Sequence, residues 1–517
     1  MNRYFEKIFS ASAVVLFAIA GLVNCPQTNA NDDFPPQKGT QWRPYLEWSI
    51  TNPSYEGNPY DVIAWALFRH EDGEERKTGM FYDGGNTWKF RFTGTKTGRW
   101  TFQTSSDDAD LNGKKGALFI QPNPDPNAHG FLTHFGNKWG WQGVNEAFTP
   151  QLVMYENPET YYNKPEIIDE AIQTFIHDHG FNGFHTIVLT RWFDLHKENY
   201  DKIQDPDPNP DPRTFEALEL LIAKTHAVGG MVHLWAWGDE QRRMTPIKWG
   251  KNGKVDQRLQ RYIAARLGPL PGWSMGYGFD LFEWVDEKDL TQWHDYMHEH
   301  MGWSHFLGGR SGGPRKGLDH SKQQISEDLD YSAYEHHRPT YEVYAAALEA
   351  RPEKPSFSED RFRIRRPSRY PEKDYDEVMT RRGLWHSTLA GGVANIWGNL
   401  INAPGEGSVP YPHKEWIKTY SLFFQDRFLK TMIRDHSITD GVCLRTPSYS
   451  CAVFYKEDAE SIRINLDSFK DSQPMLAVDA LKPYKEIPIA KTQNKHGVWK
   501  APYRSDWAIA IGLFSKK

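Results

Sequence analysis

The chain is 517 residues long, enough for roughly three ordinary domains, or fewer if one of them is a barrel. Hydrophobic residues make up 39% and charged residues 25%, a globular balance that excludes both a multispan membrane protein and a disordered chain. With 67 acids against 61 Lys+Arg, the formal charge of −6 gives no global reason to expect nucleic acid as a partner.

The first thirty residues read as an export signal. Arg3 and Lys7 form a basic start, residues 8–23 are apolar apart from Ser and Gly, and Thr28-Asn29-Ala30 is a cleavage site of the expected kind. The run is too short and too poorly flanked for a membrane span. Leu22-Val23-Asn24-Cys25 half-resembles a bacterial lipoprotein box, with Asn24 where a small residue belongs, so lipid anchoring at Cys25 is the alternative. Either route places the chain outside the cytoplasm, secreted or periplasmic.

Residues 33–122 read as β. Runs at 62–68, 88–92 and 100–104 alternate or stay apolar, and they are separated by turn chemistry at Asp83-Gly84-Gly85-Asn86 and between Gly94 and Gly98. Short strands at this spacing predict a sandwich. Across residues 140–425 the period changes repeatedly. Strand-like runs at 151–154, 184–189, 231–237, within 273–284, and at 305–307, 331–334, 354–358 and 392–397 alternate with helical ones at 164–179, 213–227, 258–267, 290–300, 340–349 and 376–390. Eight strands in alternation predict a (β/α)8 TIM barrel. Residues 430–517 return to short β runs at 451–455, 461–465 and 507–511. The fold class expected is therefore α/β, a TIM barrel flanked by N-terminal and C-terminal β-sandwich domains.

Cys443 and Cys451 flank a turn-like segment between β runs, which allows either a hairpin disulfide or two buried free thiols. No Cys/His spacing reads as a zinc site, His336-His337 reads as a packed pair, and no glycine-rich phosphate loop is present. No cofactor and no metal are expected. Asp205-Pro-Asp-Pro-Asn-Pro-Asp211 could offer calcium oxygens, but it reads first as a stiff proline loop.

A barrel carries its chemistry where the strands end. Those positions are Arg191 and Trp192 after strand 2, Trp237, Asp239 and Glu240 after strand 3, Glu283 after strand 4, and Arg310 after strand 5. Strand 6 is followed by Glu335, His336 and His337, strand 7 by Glu359, Asp360 and Arg361, and strand 8 by Trp397 and Asn399. Acids at strands 4 and 7 face each other across a barrel mouth. Two carboxyl groups flanking one bond suit glycosidic cleavage, roughly 5–5.5 Å apart in retaining enzymes and 6.5–9.5 Å in inverting ones. Aromatics at 14% of the chain fill cores, and they also stack on sugar rings.

Two resemblances bear on this. Phe81-Tyr-Asp-Gly-Gly-Asn-Thr-Trp-Lys-Phe-Arg-Phe92 with Gly98-Arg-Trp100 resembles the Ig-like domain that precedes the catalytic barrel of many secreted bacterial glycosidases. Gly278-Phe-Asp-Leu-Phe-Glu-Trp284 and Lys354-Pro-Ser-Phe-Ser-Glu-Asp360 resemble the acid/base and nucleophile segments of the retaining (β/α)8 glycosidases that include cellulases, mannanases and β-galactosidases. The resemblance implies Glu283 as acid/base and Glu359 as nucleophile. It also implies that Arg191 buttresses the nucleophile, that Tyr334 or His336 hydrogen-bonds near it, and that Trp397 floors the central sugar site. Trp192 and Trp237 join as substrate-binding positions. Phe282 stands where those enzymes place Asn before the acid, which leaves Asp280 or Asp286 as alternative acids. Asp360 is the rival nucleophile, and Glu335 could replace either carboxylate.

After Glu359 the chain carries five arginines in nine positions, Arg361 to Arg369, and Arg310, Arg315 and Lys316 follow strand 5. If both segments rim one mouth, Arg310 and Arg361 would belong to a cationic patch for sulfate or carboxylate groups. The other reading pairs them with Glu372, Asp374, Asp376 and Glu377 on a solvated surface. The function expected is a secreted glycoside hydrolase on a polysaccharide, endo-acting and retaining, with an anionic, carrageenan-like galactan as substrate or else a neutral β-glycan. A non-catalytic carbohydrate-binding protein on the same scaffold is the alternative from another class, and a lyase or esterase is a third. No Gly-x-Ser-x-Gly elbow supports an esterase.

Overall fold

A computed structural model describes residues 33–43, 45–144, 146–197, 202–238, 246–281, 284–309, 328–364, 368, 370–398, 411–470, 473–490 and 497–514. The expected signal segment and Cys25 lie outside these residues, as do Asp239, Glu240, Glu283, Arg310, Arg315, Lys316, Arg365, Arg366, Arg369 and Asn399. Among the described residues no helix is long and apolar enough to cross a membrane.

Eight parallel strands form the centre. They are β1 (Gln151–Met154), β2 (Gly183–Ile187), β3 (Met231–Trp237), β4 (Trp273–Gly278), β5 (Phe306–Gly308), β6 (Ser332–Tyr334), β7 (Ser356–Phe362) and β8 (Ala394–Trp397). They hydrogen-bond in the order β5-β4-β3-β2-β1-β8-β7-β6, so the sheet curls into a nearly closed barrel. Only β5 and β6, at its two ends, share no ladder among the described residues.

Helices α1 (Pro158–Asn163) and α2 (Glu166–Ala171) follow β1, and a π-helical stretch, Ile172–His179, continues α2 up to Gly180. Next come α3 (Pro212–Ala227), α4 (Lys254–Leu267), α5 (Glu287–Met301), α6 (Tyr341–Ala350), α7 (Glu377–Leu389) and α8 (Lys414–Phe424). Their starts are written in the sequence. Asp211 accepts from the Arg213 N–H with Pro212 in the first turn, Asp286 and Asp289 form a capping box for α5, and Asp376 accepts from Met379 N–H to start α7. The acids of the proline-rich loop are engaged locally: Asp211 caps α3, and Asp207 pairs with Arg258 at 2.9 Å.

Side chains alternate across the barrel wall, because successive residues of a strand point to opposite faces. Leu152, Met231, Trp235, Phe306, Tyr331, Phe357, Ala394 and Ile396 share one interior cluster. Val232, Leu234, Met275, Tyr277, Tyr334, Phe362 and Trp397 belong instead to the large cluster shared with the helices. The N-terminal end of the barrel is plugged by a three-stranded sheet, Leu132–Phe135, Lys138–Trp141 and Ala147–Phe148. Its Trp139 packs against Phe306, Tyr331 and Phe357 and donates to the Ser356 carbonyl at 3.1 Å.

Two β domains flank the barrel. In the N-terminal one, a five-stranded sheet faces a three-stranded sheet. Trp48 and Phe90 of the smaller sheet pack on Phe68 and Phe102 of the larger, with Trp48 and Phe90 stacked at 5.4 Å. The C-terminal domain is built on a six-stranded antiparallel sheet whose long strands, Cys451–Arg463 and Val498–Gly512, pair with register shifts near Ala459. Phe454, Trp507, Ile509 and Ile511 form its own core. The opposite face, with Val453, Tyr455, Ala508 and Ala510, joins the barrel cluster, where Trp385 of α7 stacks on Tyr455 at 4.8 Å.

Cys443 and Cys451 are free and buried. Cys443 lies opposite Phe454 in the ladder and sits in the sheet's own core, whereas Cys451 is three residues from Phe454 and falls in the barrel-facing cluster. The two thiols are on opposite faces of one sheet, so the hairpin disulfide is excluded and the free-thiol reading holds.

Candidate active site

The buried centre of the site is Glu359. The ladder between β7 and β8 slips between Ser358 and Arg361, and this irregularity separates two adjacent carboxylates. Glu359 is fully buried, 0% exposed, among residues of the barrel interior. Asp360 turns to His337 instead, with Nδ1 and Oδ2 2.6 Å apart.

Two inward side chains meet at Glu359, and a third lies behind them. Tyr331, just before β6, donates its hydroxyl to Oε1 at 2.6 Å. His233 of β3 brings Nε2 within 3.2 Å of the same oxygen and 3.0 Å of the Tyr331 hydroxyl. His185 of β2 lies behind, Nδ1 to Nδ1 at 2.9 Å from His233. Burial, reinforced by the Glu359 carboxylate, holds Tyr331 far above the ordinary phenol range, so it remains an O–H donor. Burial, with the Arg361 guanidinium nearby, holds His185 well below the ordinary imidazole range, so it is neutral. The proton order that satisfies the chain is His185 Nδ1–H to His233 Nδ1, then His233 Nε2–H toward Glu359 and Tyr331.

Two glycines make room for this pair. A Cβ on Gly276 of β4 would stand 3.0 Å from Glu359 Oε1 and 2.9 Å from the Trp235 ring, and a Cβ on Gly308 of β5 would fall 2.2 Å from the Tyr331 ring. The carboxylate and the phenol therefore occupy space that only glycine on the facing strands leaves open.

Nearer the mouth, the Arg361 guanidinium lies over the rings of Trp235, at 5.6 Å, and Phe279, at 5.3 Å. Asp280, two residues past β4, has a φ of 53°, a left-handed conformation uncommon for a residue with a side chain and often kept at functional positions. Glu335, His337 and Asp360 form one cluster. The hydrogen bond to Asp360 raises the His337 imidazole above its ordinary value, while burial lowers that of His336.

The sequence-predicted residues divide sharply. Glu359, Asp360 and Arg361 lie within β7, and His336 two residues past β6. Arg191 is nearly buried in the turn after β2, with its guanidinium 3.5 Å from Glu159. Three residues expected to contact sugar, and Tyr334, expected to hydrogen-bond near the nucleophile, are packed elsewhere. Trp192 is fully buried against Phe215 of α3 and donates to the Ala236 carbonyl. Trp397 is fully buried against Phe362 and Tyr375 and donates to Gln151. Tyr334 lies on the helix-facing side of β6, 1% exposed. Trp237 is 1% exposed and stacked against Phe193. Strand parity explains these outcomes for Tyr334 and Trp397. Asp286 is committed to the start of α5, which removes it as an alternative acid. The sequence reading missed Tyr331, His185, His233 and Trp235. Counting in twos back from each strand end would have found them, because all four are inward positions deeper in the barrel.

A family model described as a domain of unknown function, DUF5060, matches residues 38–107. No curated protein matches the chain. Among solved structures, a protein of Bacteroides vulgatus ATCC 8482 provisionally described as a glycoside hydrolase superimposes with a TM-score of 0.70 at 15% identity, over 92% of this chain and 99% of that one. A glycoside hydrolase family 5 structure from the same organism gives a TM-score of 0.53 at 12% identity, over 75% of this chain and 94% of that one. At such identities the likeness concerns the fold alone, a TIM barrel.

Proposed function

We propose that the chain is a secreted glycoside hydrolase that cleaves glycosidic bonds within a polysaccharide, with Glu359 as nucleophile and Glu283 as acid/base of a retaining, endo-acting reaction. The observation that carries this reading is a buried carboxylate on β7, in the centre of a barrel, held by a protonated tyrosine and a histidine from facing strands. A nucleophilic carboxylate must be fixed in orientation; the Tyr331 hydroxyl and His233 N–H hold Oε1 and restrict its rotation. Asp360 is disfavoured for the role because its bonding to His337 directs it away from Glu359's neighbours.

In the first step Glu359 attacks the anomeric carbon while Glu283 gives its proton to the departing glycosidic oxygen. In the second, Glu283 takes a proton from water, whose oxygen displaces Glu359 and restores both carboxyl groups. Arg361, backed by two aromatic rings, favours an anionic substrate, a sulfated or uronate-bearing polymer. The test is a reducing-sugar screen over anionic and neutral polysaccharides, with the product anomer followed by NMR. Release of short products from an anionic polymer, with the starting anomeric configuration, supports the full reading. Turnover of neutral glucans or mannans alone removes the role assigned to the arginines, and turnover of nothing, with tight binding retained, favours a carbohydrate-binding protein.

A further inference from the structure

Among the described residues the barrel has one seam, between β5 and β6, and Asp330 hydrogen-bonds across it. Asp330 donates its backbone N–H to the Leu307 carbonyl at 2.9 Å, and its Oδ2 accepts the Leu307 N–H at 2.9 Å. Helix α5 crosses outside this seam. It presents His294 and His298, four residues apart and therefore on one face, with their Nε2 atoms 3.2 and 2.8 Å from that same Asp330 oxygen. The two rings are 4.4 Å apart. All three side chains are partly open, at 11%, 28% and 26%, so solvent reaches the cluster.

Two imidazole nitrogens thus converge on one oxygen that already accepts a backbone N–H. For both to be hydrogen bonds, both Nε2 atoms must carry protons. The geometry does not make both: His294 Nε2 is buried with no hydrogen-bond partner among the described residues. A cation at this point would use it, since neutral imidazoles offer Nε2 lone pairs and Asp295, 3.2 Å from His294 Nδ1, takes Nδ1–H as an outer partner that orients the ring. The spacing is right for this. Tetrahedral zinc with bonds of about 2.0–2.1 Å sets its ligand atoms about 3.3 Å apart, which the 3.2 Å contact of His294 matches and the 2.8 Å contact of His298 approaches to within about half an ångström.

We propose that His294, His298 and Asp330 bind one divalent transition-metal ion of the zinc type, with water in the fourth position, and that the ion clasps α5 to the open seam of the barrel. Two imidazoles and a carboxylate favour zinc, cobalt or nickel over the hard cations calcium and magnesium. The clasp would fix Asp330, the neighbour of Tyr331, and so steady the phenol that holds Glu359. Metal binding itself does not depend on Glu359 being catalytic.

The experiment uses the full-length protein stripped with EDTA, titrated with ZnCl2 by calorimetry and with CoCl2 by visible absorption, alongside His298→Gln and His337→Ala. His298→Gln keeps a side-chain N–H toward Asp330 while removing the metal ligand. His337→Ala disables the separate cluster at the barrel mouth. Expected are one zinc equivalent that is lost, or weakened at least tenfold, in His298→Gln and kept in His337→Ala, a tetrahedral cobalt spectrum, and a zinc-dependent rise in Tm absent from His298→Gln. Zinc binding unchanged by His298→Gln, or no zinc-dependent change in Tm or heat in the parent protein, overturns the proposal. Should His298→Gln fail to fold, Asp295→Asn provides the second reading, with weakened but persistent binding expected and unchanged affinity counting against the site.

Discussion

The inner and outer faces of the barrel wall use the same residue types for opposite ends. On the outer face Trp192, Tyr334 and Trp397 are packed against helices and other aromatics. On the inner face Trp235, Tyr331 and two histidines surround a carboxylate. One step along a strand moves a side chain from one set to the other. Aromatic identity at a strand end is therefore poor evidence of a sugar contact until its parity is known, and Tyr331 and Tyr334, three residues apart, show how much a single register decides.

Replacing Glu359 by Gln tests the inner face most severely. Turnover should fall by about a thousandfold or more while circular dichroism and Tm stay close to the parent. Equal loss of Tm would mean that the carboxylate is structural. Trp397→Ala probes the outer face and should do the reverse in kind, costing about 3–5 kcal/mol of stability in denaturant unfolding through the cavity it leaves. A variant with full stability and lost substrate affinity would return Trp397 to the sugar site.

Tyr331→Phe and Tyr334→Phe sharpen the parity argument directly. The first removes the hydroxyl that holds Glu359 and should lower kcat about 10- to 100-fold; the second should leave kcat within about twofold. The smallest effect concerns the mouth. The His337 pKa is raised in the folded chain by Asp360, so the pair's contribution to stability is complete below about pH 6.5 and is lost as pH rises through the elevated value. Because His337 is 37% exposed, that contribution should be below about 1 kcal/mol. Comparing Tm against pH for the parent and His337→Gln checks it: the difference should shrink toward alkaline pH, and a difference that grows there would contradict the pairing.

Much of the architecture was legible in the chain. The runs at 151–154 and 231–237 coincide with β1 and β3 residue for residue, because apolar β-rich stretches bounded by polar loops have few alternatives. The helix expected at 213–227 begins one residue early, at Pro212, where its cap dictates. The plug of residues 132–148 escaped notice because its strands are two to four residues long and carry no period. Glu359 was found because it is an acid just past the strand expected at 354–358, although β7 runs on to Phe362. His185 and His233 were not, since a histidine within an apolar strand is legible as functional only once three-dimensional neighbours are known. The His294 and His298 pair went unread for a related reason: its third member, Asp330, is more than thirty residues away, on another element.

The N-terminal β domain is tied to the barrel by charge as well as by apolar contact. Arg91 of the domain binds Glu219 of α3 at 2.8 Å, Glu219 binds Arg266 of α4 at 2.6 Å, and Arg258 of α4 binds Asp61 at 2.6 Å, with all three guanidinium groups nearly buried. Cutting the chain between them would take Asp61 from Arg258 and Arg91 from Glu219 on newly wetted helices. Such a domain cannot swing as a tethered arm that fetches polymer for a distant catalyst. It behaves as a fixed buttress, and a shortened barrel produced without it would be expected to precipitate rather than to work more slowly.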